Sequence, residues 1–364
     1  MNKKDVYIYY STATDITGKK LQEALGINGG NKKPEGKKLV IGWGAKTKSP
    51  TKFPKGVKVM NHPNAIMTNR NKFDAMGIMA AALNVGDTVH IPKYLTADKV
   101  KQEIIDGNIS LPLIGRKKFH QGGKGFWSCP TIAQLEDAIT AGAHHFIQML
   151  PIKEEYRLHV FNGVVIHVVK KVKRSDKEFE KAFIDDELAR QKILAEKNED
   201  PFDEATALLV IRRQAKSATA GGANMLLRSN KLGWKFIIVK KYPNKLAEVA
   251  IKAVKALGLD FGAVDCCLDN TNVPYVFEVN SGPGLEATSL DKYIEAFNLV
   301  ISGKKETVQV TTVDGNTAKI TSFSEKATMK RQLKELQTMV DESSDVEELA
   351  KIKEIGAKII FGGQ

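Results

Sequence analysis

Cysteine and long apolar runs are both scarce in this 364-residue chain, and each scarcity rules something out. Three cysteines are too few for a disulfide framework, and the adjacent Cys266 and Cys267 suit neither zinc-ligand spacing nor an easy bridge, so reduced, buried thiols are expected. The longest apolar stretches are only a few residues long and fall far short of the roughly 20 residues a membrane-crossing helix needs. MNKKDVYIYY runs straight into a strand pattern without an apolar leader, so the expectation is a soluble, cytoplasmic protein with no membrane partner. There is no internal repeat, strand-linked Walker lysine, CxxC pair or Ser/His/Asp arrangement. His144 and His145 are neighbours in a strand-like stretch, so alternation sends them to opposite sides and disfavours a shared metal.

Acidic residues are scarce at one end. Residues 1–60 hold 13 lysines against Asp5, Asp15, Glu23 and Glu35, and the whole chain carries +13. Such a field draws polyanions, so nucleic acid is a candidate partner through this basic unit. The lysines come mostly as scattered pairs without interleaved aromatics, which favours a solvated basic face over a dedicated reader.

With 42 % hydrophobic residues the chain has ample surface to bury, and its length suggests two or three packed units. Residues 1–65 alternate short strands with a helix near 18–25 and read as a small α/β unit. Residues 66–150 open with a helix over 71–83, then a strand (111–116), a Gly-rich loop (120–126), a helix (131–142) and a strand (146–150). Residues 151–303 hold a hairpin over 157–171 turning at Asn162-Gly163, a charged helical arm at 174–206, an amphipathic helix over 245–257, and strands 262–268 and 273–280. The tail, 304–364, carries a hairpin signal at Asp314-Gly315 and two polar helical runs.

The most informative stretch is FGAVDCCLDNTNVPYVFEVNSGPGLEATS, residues 261–289. Asp265 sits inside one apolar strand, and Glu278 and Asn280, two apart, share a face of the next. A buried carboxylate costs several kcal/mol unless paired or bound to a cation. Two partners fit on the residues alone: a hard cation such as Mg²⁺, or a structural ion pair with basic side chains.

Asp265, Glu278-Val279-Asn280 and Pro283-Gly284 together resemble the magnesium-binding end of the ATP-grasp fold. EYRLHVFNGVVIH (155–167), LLRSNKLGW (226–234), LDFGAVD (259–265) and YVFEVNSGPGLEATS (275–289) are similar to phage and bacterial glutamate-ligase-like ATP-grasp proteins, with motif order intact over about 65–300. The resemblance implies an α+β ATP-grasp fold with an N-terminal α/β (pre-ATP-grasp) unit and a C-terminal helical extension. It implies ATP and Mg²⁺ as cofactors and Asp265, Glu278 and Asn280 as metal ligands. It carries nucleotide contacts onto Lys72, Arg116, Lys118, the loop glycines Gly122 and Gly123, the hinge residue Gln148 and, at the ribose position, Glu155. Arg116 stands where the family usually has a lysine, and Met149 where an acid is common.

The activity implied is an ADP-forming ligase. The γ-phosphoryl passes to a carboxylate, and an amine attacks the acyl phosphate; the substrates would be an amino acid, peptide or protein end. Arg157 and Arg228 are the expected catalytic cations, and of Lys170, Lys171, Lys173 and Arg174 about one is expected to touch substrate. The competing reading is a nucleotide-binding interaction protein without turnover.

Overall fold

Two runs of almost continuous apolar residues, VYIYY (β1, Val6–Tyr10) and, after α1 (Ile16–Leu25) and β2 (Asn28–Gly30), LVIGW (β3, Leu39–Trp43), are what strands covered on both faces require. They pair in parallel, and β4 (Lys58–Met60) completes a four-stranded sheet in the order β2-β1-β3-β4. This first unit thus has the α/β character its sequence pattern indicates. The computed structural model describes residues 1–47, 51–86, 88–119, 125–226, 228–303, 308–311 and 317–320.

Two helices follow, α2 (Pro63–Arg70) and α3 (Lys72–Leu83), hinged at Asn71, whose extended backbone ends one helix and starts the next. A second, antiparallel sheet is built from β5 (Tyr94–Thr96), β6 (Leu113–Arg116), β7 (Phe126–Cys129) and β8 (His145–Gln148) in the order β5-β8-β6-β7, with α4 (Val100–Ile105) and α5 (Ile132–Thr140) beside it. Val100, Leu113, Leu135, Ala138 and Phe146 form its core. One expectation fails here. The Nδ1 atoms of His144 and His145 approach to 3.4 Å instead of pointing apart, because the strand begins only at His145 and alternation does not reach His144.

The third sheet holds β9 (Ile152–Phe161), β10 (Val164–Lys173), β11 (Trp234–Ile238), β12 (Phe261–Asp269) and β13 (Pro274–Asn280) in the order β11-β10-β9-β12-β13, all antiparallel. β9 and β10 are joined at Asn162-Gly163, whose φ angles of 47° and 76° are the two left-handed residues a tight hairpin needs. Between β10 and β11 stand α6 (Asp176–Asn198) and α7 (Glu204–Thr219), packed on each other. The helical arm therefore runs to Thr219, beyond the expected end at 206. Its second helix buries only Ile211, Ala215 and Thr219, too sparse a stripe to be obvious in a polar sequence.

Alternation divides this sheet. One face, with Tyr156, Leu158, Val264 and Cys266, packs on Leu246, Val249, Ala250 and Ala253 of α8 (Asn244–Ala256). On the other face, Phe161 and Phe261 pack with Trp43 of the first unit and with Tyr293 and Phe297 of α9 (Ala287–Ser302). Farther along, the same face is charged. All three cysteines are free and buried.

Asn61 locks the first unit to the third sheet. Fully buried, it accepts from the backbone N–H groups of Asp260 (2.7 Å) and Phe261 (3.1 Å) and donates through Nδ2 to the Phe261 carbonyl (2.8 Å). Close by, a Cβ on Gly282 would stand 2.7 Å from the Gly44 nitrogen, so only glycine admits this approach. Past α9, β14 (Val308–Thr311) and β15 (Thr317–Ile320) pair as an antiparallel hairpin. Its Asp314-Gly315 turn and the two helical runs of the tail lie outside the described residues. Among the described residues no helix is long and apolar enough to cross a membrane.

Candidate functional site

Residues of the second and third sheets, with loop residues of the first unit, line a cleft of about 1340 Å³. One end is largely apolar, with Pro92, Ile114, Ile147, Met149 and Leu150 beside Gln148; the other is polar and borders the first unit at Ser11, Asp15 and Gly44.

Between these ends lies a charged floor. In β9 the residues of one parity, Glu155 and Arg157, face the cleft; Lys171 of β10 stands opposite Glu155, and Asp265 of β12 opposite Arg157. Arg157 holds Asp265 with two parallel bonds, Nε to Oδ1 and NH2 to Oδ2, each 2.8 Å. Lys171 pairs with Glu155 and lies 3.8 Å from Asp265 Oδ1. The Arg228 Nε lies 3.6 Å from Glu155 Oε2, and its guanidinium sits 4.7 Å over the Trp234 ring.

Glu278 stands opposite Asp265 in the β12–β13 register, beside a shift between Asp265 and Cys266 that re-aims the strand. Its Oε2 is 3.6 Å from Lys72 Nζ, and its Oε1 accepts from Asn280 Nδ2 at 3.1 Å. Asp265, Glu278 and Asn280 are therefore neighbours lining one cleft, with Lys72 and Arg116 beside them.

Neighbouring cations lower two of the carboxyls, Asp265 and Glu278. Burial pushes the Asp265 carboxyl up, but Arg157 and then Lys171 outweigh it, so the group stays well below the usual range. For Glu278 burial again acts first, and Lys72 and Arg116 reverse it against the raising effect of Asp265, leaving the carboxyl lowered. Burial wins for Glu155, which is raised despite Lys171. Arg116 is lowered by burial, partly offset by Glu278.

Hard oxygen donors next to cations suit Mg²⁺ bridging to phosphate oxygens. Among the described residues no three His, Cys, Asp or Glu groups make a closed metal cage. Asp265, Glu278 and Asn280 offer two carboxylates and an amide, the oxygen donor types that would hold such an ion together with water and phosphate.

The remaining sequence-derived candidates divide. Gln148 lines the cleft beside Ile147 and Met149. Glu155 lines the cleft too, and its carboxylate is engaged by Lys171 and Arg228. Lys118 is exposed, with its cation over the Phe119 ring, whereas its neighbour Lys117 lines the cleft. Gly122 and Gly123 lie outside the described residues. Of Lys170, Lys171, Lys173 and Arg174, Lys171 is the one in the cleft; Lys170 pairs with Glu154, and Arg174 donates to Asn230 and Trp234 backbone oxygens. Sequence reasoning missed Asn69 and Arg70. The only signal was their place in NRNK, at the junction of two helices that turns both Arg70 and Lys72 toward the cleft.

Residues 163–302 match the RimK-like ATP-grasp domain. The chain has the ATP-grasp fold. Among solved structures it is similar to the ATP-grasp ligase PsnB complexed with a phosphomimetic variant of minimal precursor, Mg and ADP, with a TM-score of 0.52 and 11 % identity over 83 % of this chain and 99 % of that one. It is also similar to D-alanine–D-alanine ligase from Bacillus anthracis, with a TM-score of 0.51 and 12 % identity over 82 % of this chain and 95 % of that one. At such identities the likeness speaks for ATP-grasp architecture and not for substrate. A comparison with curated protein sequences found no match. Nothing in these comparisons singles out the glutamate-ligase-like phage and bacterial group, and none supports a nucleic-acid partner.

Proposed function

We propose that this ATP-grasp protein is an ADP-forming carboxylate–amine ligase acting on an amino acid, a peptide or a protein end. The observation that carries this reading is the convergence of Asp265, Glu278 and Asn280 with Lys72, Arg116 and Arg157 in one cleft. Among the described residues seven cations (Arg70, Lys72, Arg116, Lys117, Arg157, Lys171, Arg228) line the cleft against four carboxylates (Asp15, Glu155, Asp265, Glu278), an excess that suits a triphosphate. The neighbours that share the fold include a ligase seen with Mg, ADP and a variant of its minimal precursor and a D-alanine–D-alanine ligase, which support the same class.

In this reading the adenine lies at the apolar end against Ile147, Met149 and Leu150, with Gln148 and the glycines Gly122 and Gly123 as further nucleotide contacts. Mg²⁺ held by Asp265, Glu278 and Asn280 would neutralise charge between phosphate oxygens as the γ-phosphoryl moves. Lys72 and Arg116 orient those oxygens. Arg157 spends Nε and NH2 on Asp265 and keeps its remaining N–H groups for the acyl phosphate formed when the substrate carboxylate takes the phosphoryl group. Arg228, stacked on Trp234 beside Glu155, adds positive charge where the carbonyl oxygen becomes anionic as the amine attacks.

A second reading, nucleotide binding without turnover, draws on the same pair: both Asp265 oxygens are already taken by Arg157, so the floor is stable without a metal. One experiment separates the two. Incubation with ATP, Mg²⁺ and pools of amino acids or peptides should release ADP, and Glu278→Gln should remove that release. Nucleotide binding with no ADP from any pool would favour the second reading.

A further inference from the structure

Arg70 is a cation of the cleft that stands outside the ion network of the described residues. Arg70, the last residue of α2, lines the cleft but makes no hydrogen bond or ion pair among the described residues. Burial alone acts on its guanidinium, lowering its pKa. Taking an arginine partly out of water without a partner costs free energy that a ligand anion can return. Asn69, 3 % exposed, lies beside it in the cleft lining. Its Nδ2 donates to the Val279 carbonyl at 2.9 Å, which fixes the amide, and its Oδ1 is buried with no hydrogen-bond partner among the described residues. A planar five-donor fork and an orphaned acceptor thus stand side by side.

Their place in the cleft points the same way. Asn69 is tied to β13 one residue before Asn280, and Lys72, two residues past Arg70, pairs with Glu278. Ser11 and Gly44 of the first unit line the same cleft, and the Gly44 N–H donates to the Ser281 carbonyl at 3.2 Å. This is the polar end, away from the apolar hinge. Lys72, Arg157, Lys171 and Arg228 are each set against a carboxylate, whereas Arg70 has no ion-pair partner among the described residues.

We infer that Arg70 and Asn69 form a substrate subsite for a carboxylate next to an N–H group, as in an amino acid or a peptide end. The guanidinium takes the carboxylate oxygens in its fork, and Asn69 Oδ1 accepts from the neighbouring N–H. This deepens the ligase reading and rests on it for its place in the reaction, but it concerns binding and is tested without turnover.

The test uses the full chain with Mg²⁺ and the non-hydrolysable analogue AMPPNP, titrated calorimetrically with N-acetylglycine and with N-acetylglycinamide, which differ only in the carboxylate. The wild type should bind the acid about tenfold or more tightly than the amide. Arg70→Gln should erase that preference and Arg70→Lys keep part of it, because an ammonium retains charge without the fork. Asn69→Leu should weaken both probes. AMPPNP affinity should change less than about twofold in the Arg70 variants, and circular dichroism should confirm that they are folded. Equal binding of acid and amide by the wild type, or none of the acid, overturns the inference. So does an unchanged preference in Arg70→Gln, or loss of AMPPNP affinity, which would assign Arg70 to the phosphates. A missing ADP release beside an intact acid preference would sink the ligase reading and leave the subsite standing.

Discussion

Arg157 and Asp265 lie opposite each other on β9 and β12, joined by two parallel 2.8 Å hydrogen bonds between a fork of donors and both carboxylate oxygens. Removing either partner leaves a poorly hydrated charge. Arg157→Met and Asp265→Leu should each lower stability by about 3 kcal/mol, and the double variant by clearly less than their sum. Urea midpoints of the four proteins check this, and simple additivity would show the pair to be uncoupled.

Lys72 is the leading favourable influence on the Glu278 carboxylate, with Asp265 acting against it. Lys72→Met should therefore raise the Glu278 pKa. A carboxylate must be ionised to bind a cation, so the acidic limb of the pH profile of ADP release should move to higher pH. The profile of the wild type and variant decides it; an unmoved limb would show that Glu278 does not set it.

Glu278→Gln keeps the shape of the side chain and removes its charge. If Glu278 supports phosphoryl transfer, ADP release should fall by about 10² or more, a loss typical of one stabilising group in the transition state. The far-ultraviolet circular dichroism should not change. A variant retaining most of its activity would count against the metal-ligand assignment.

Burial among His167, Tyr293 and Arg157 pushes His159 down to about 3, desolvation being the main cause. A histidine lowered by folding is neutral in both states above its unfolded pKa of about 6.5, and as pH falls below that the unfolded chain takes up the proton first. Its contribution is therefore full above about 6.5 and is lost as pH falls toward 3, by up to about 4 kcal/mol in all. His159→Phe should flatten that part of the curve. Denaturant midpoints between neutral pH and about 3.5 test it; parallel curves for variant and wild type would refute the assignment.

Asn61 spends its whole amide on the backbone at Asp260 and Phe261, with φ at 49°. Asn61→Ala should cost about 3 kcal/mol, from unsatisfied backbone groups and left-handed strain together. Asn61→Gly should recover only the strain, about 1 kcal/mol. Urea unfolding of the two variants separates these contributions.

Much of the site was written locally. The two-residue spacing of Glu278 and Asn280, the Asn162-Gly163 turn and the apolar stripe of α8 follow from periodicities of two or 3.6 residues, and these survive whatever the rest of the chain does. The ATP-grasp fold was legible only through the resemblance of the motifs, in their order, to that family. Less was legible at element ends: His144 precedes its strand and escapes alternation, and α7 extends the helical arm on a stripe of three buried residues.

The residue pattern alone determined which segments become strands and which side chains share a face, because those depend on neighbours a few positions away. Only the tertiary structure decided which charge meets which. Arg157 and Asp265 are 108 residues apart, Lys171 reaches Glu155 across a hairpin, and Arg70 lines the cleft with no ion-pair partner among the described residues. The state of a buried ionisable group depends on what surrounds it in space, and strand pairing between distant segments supplies those surroundings.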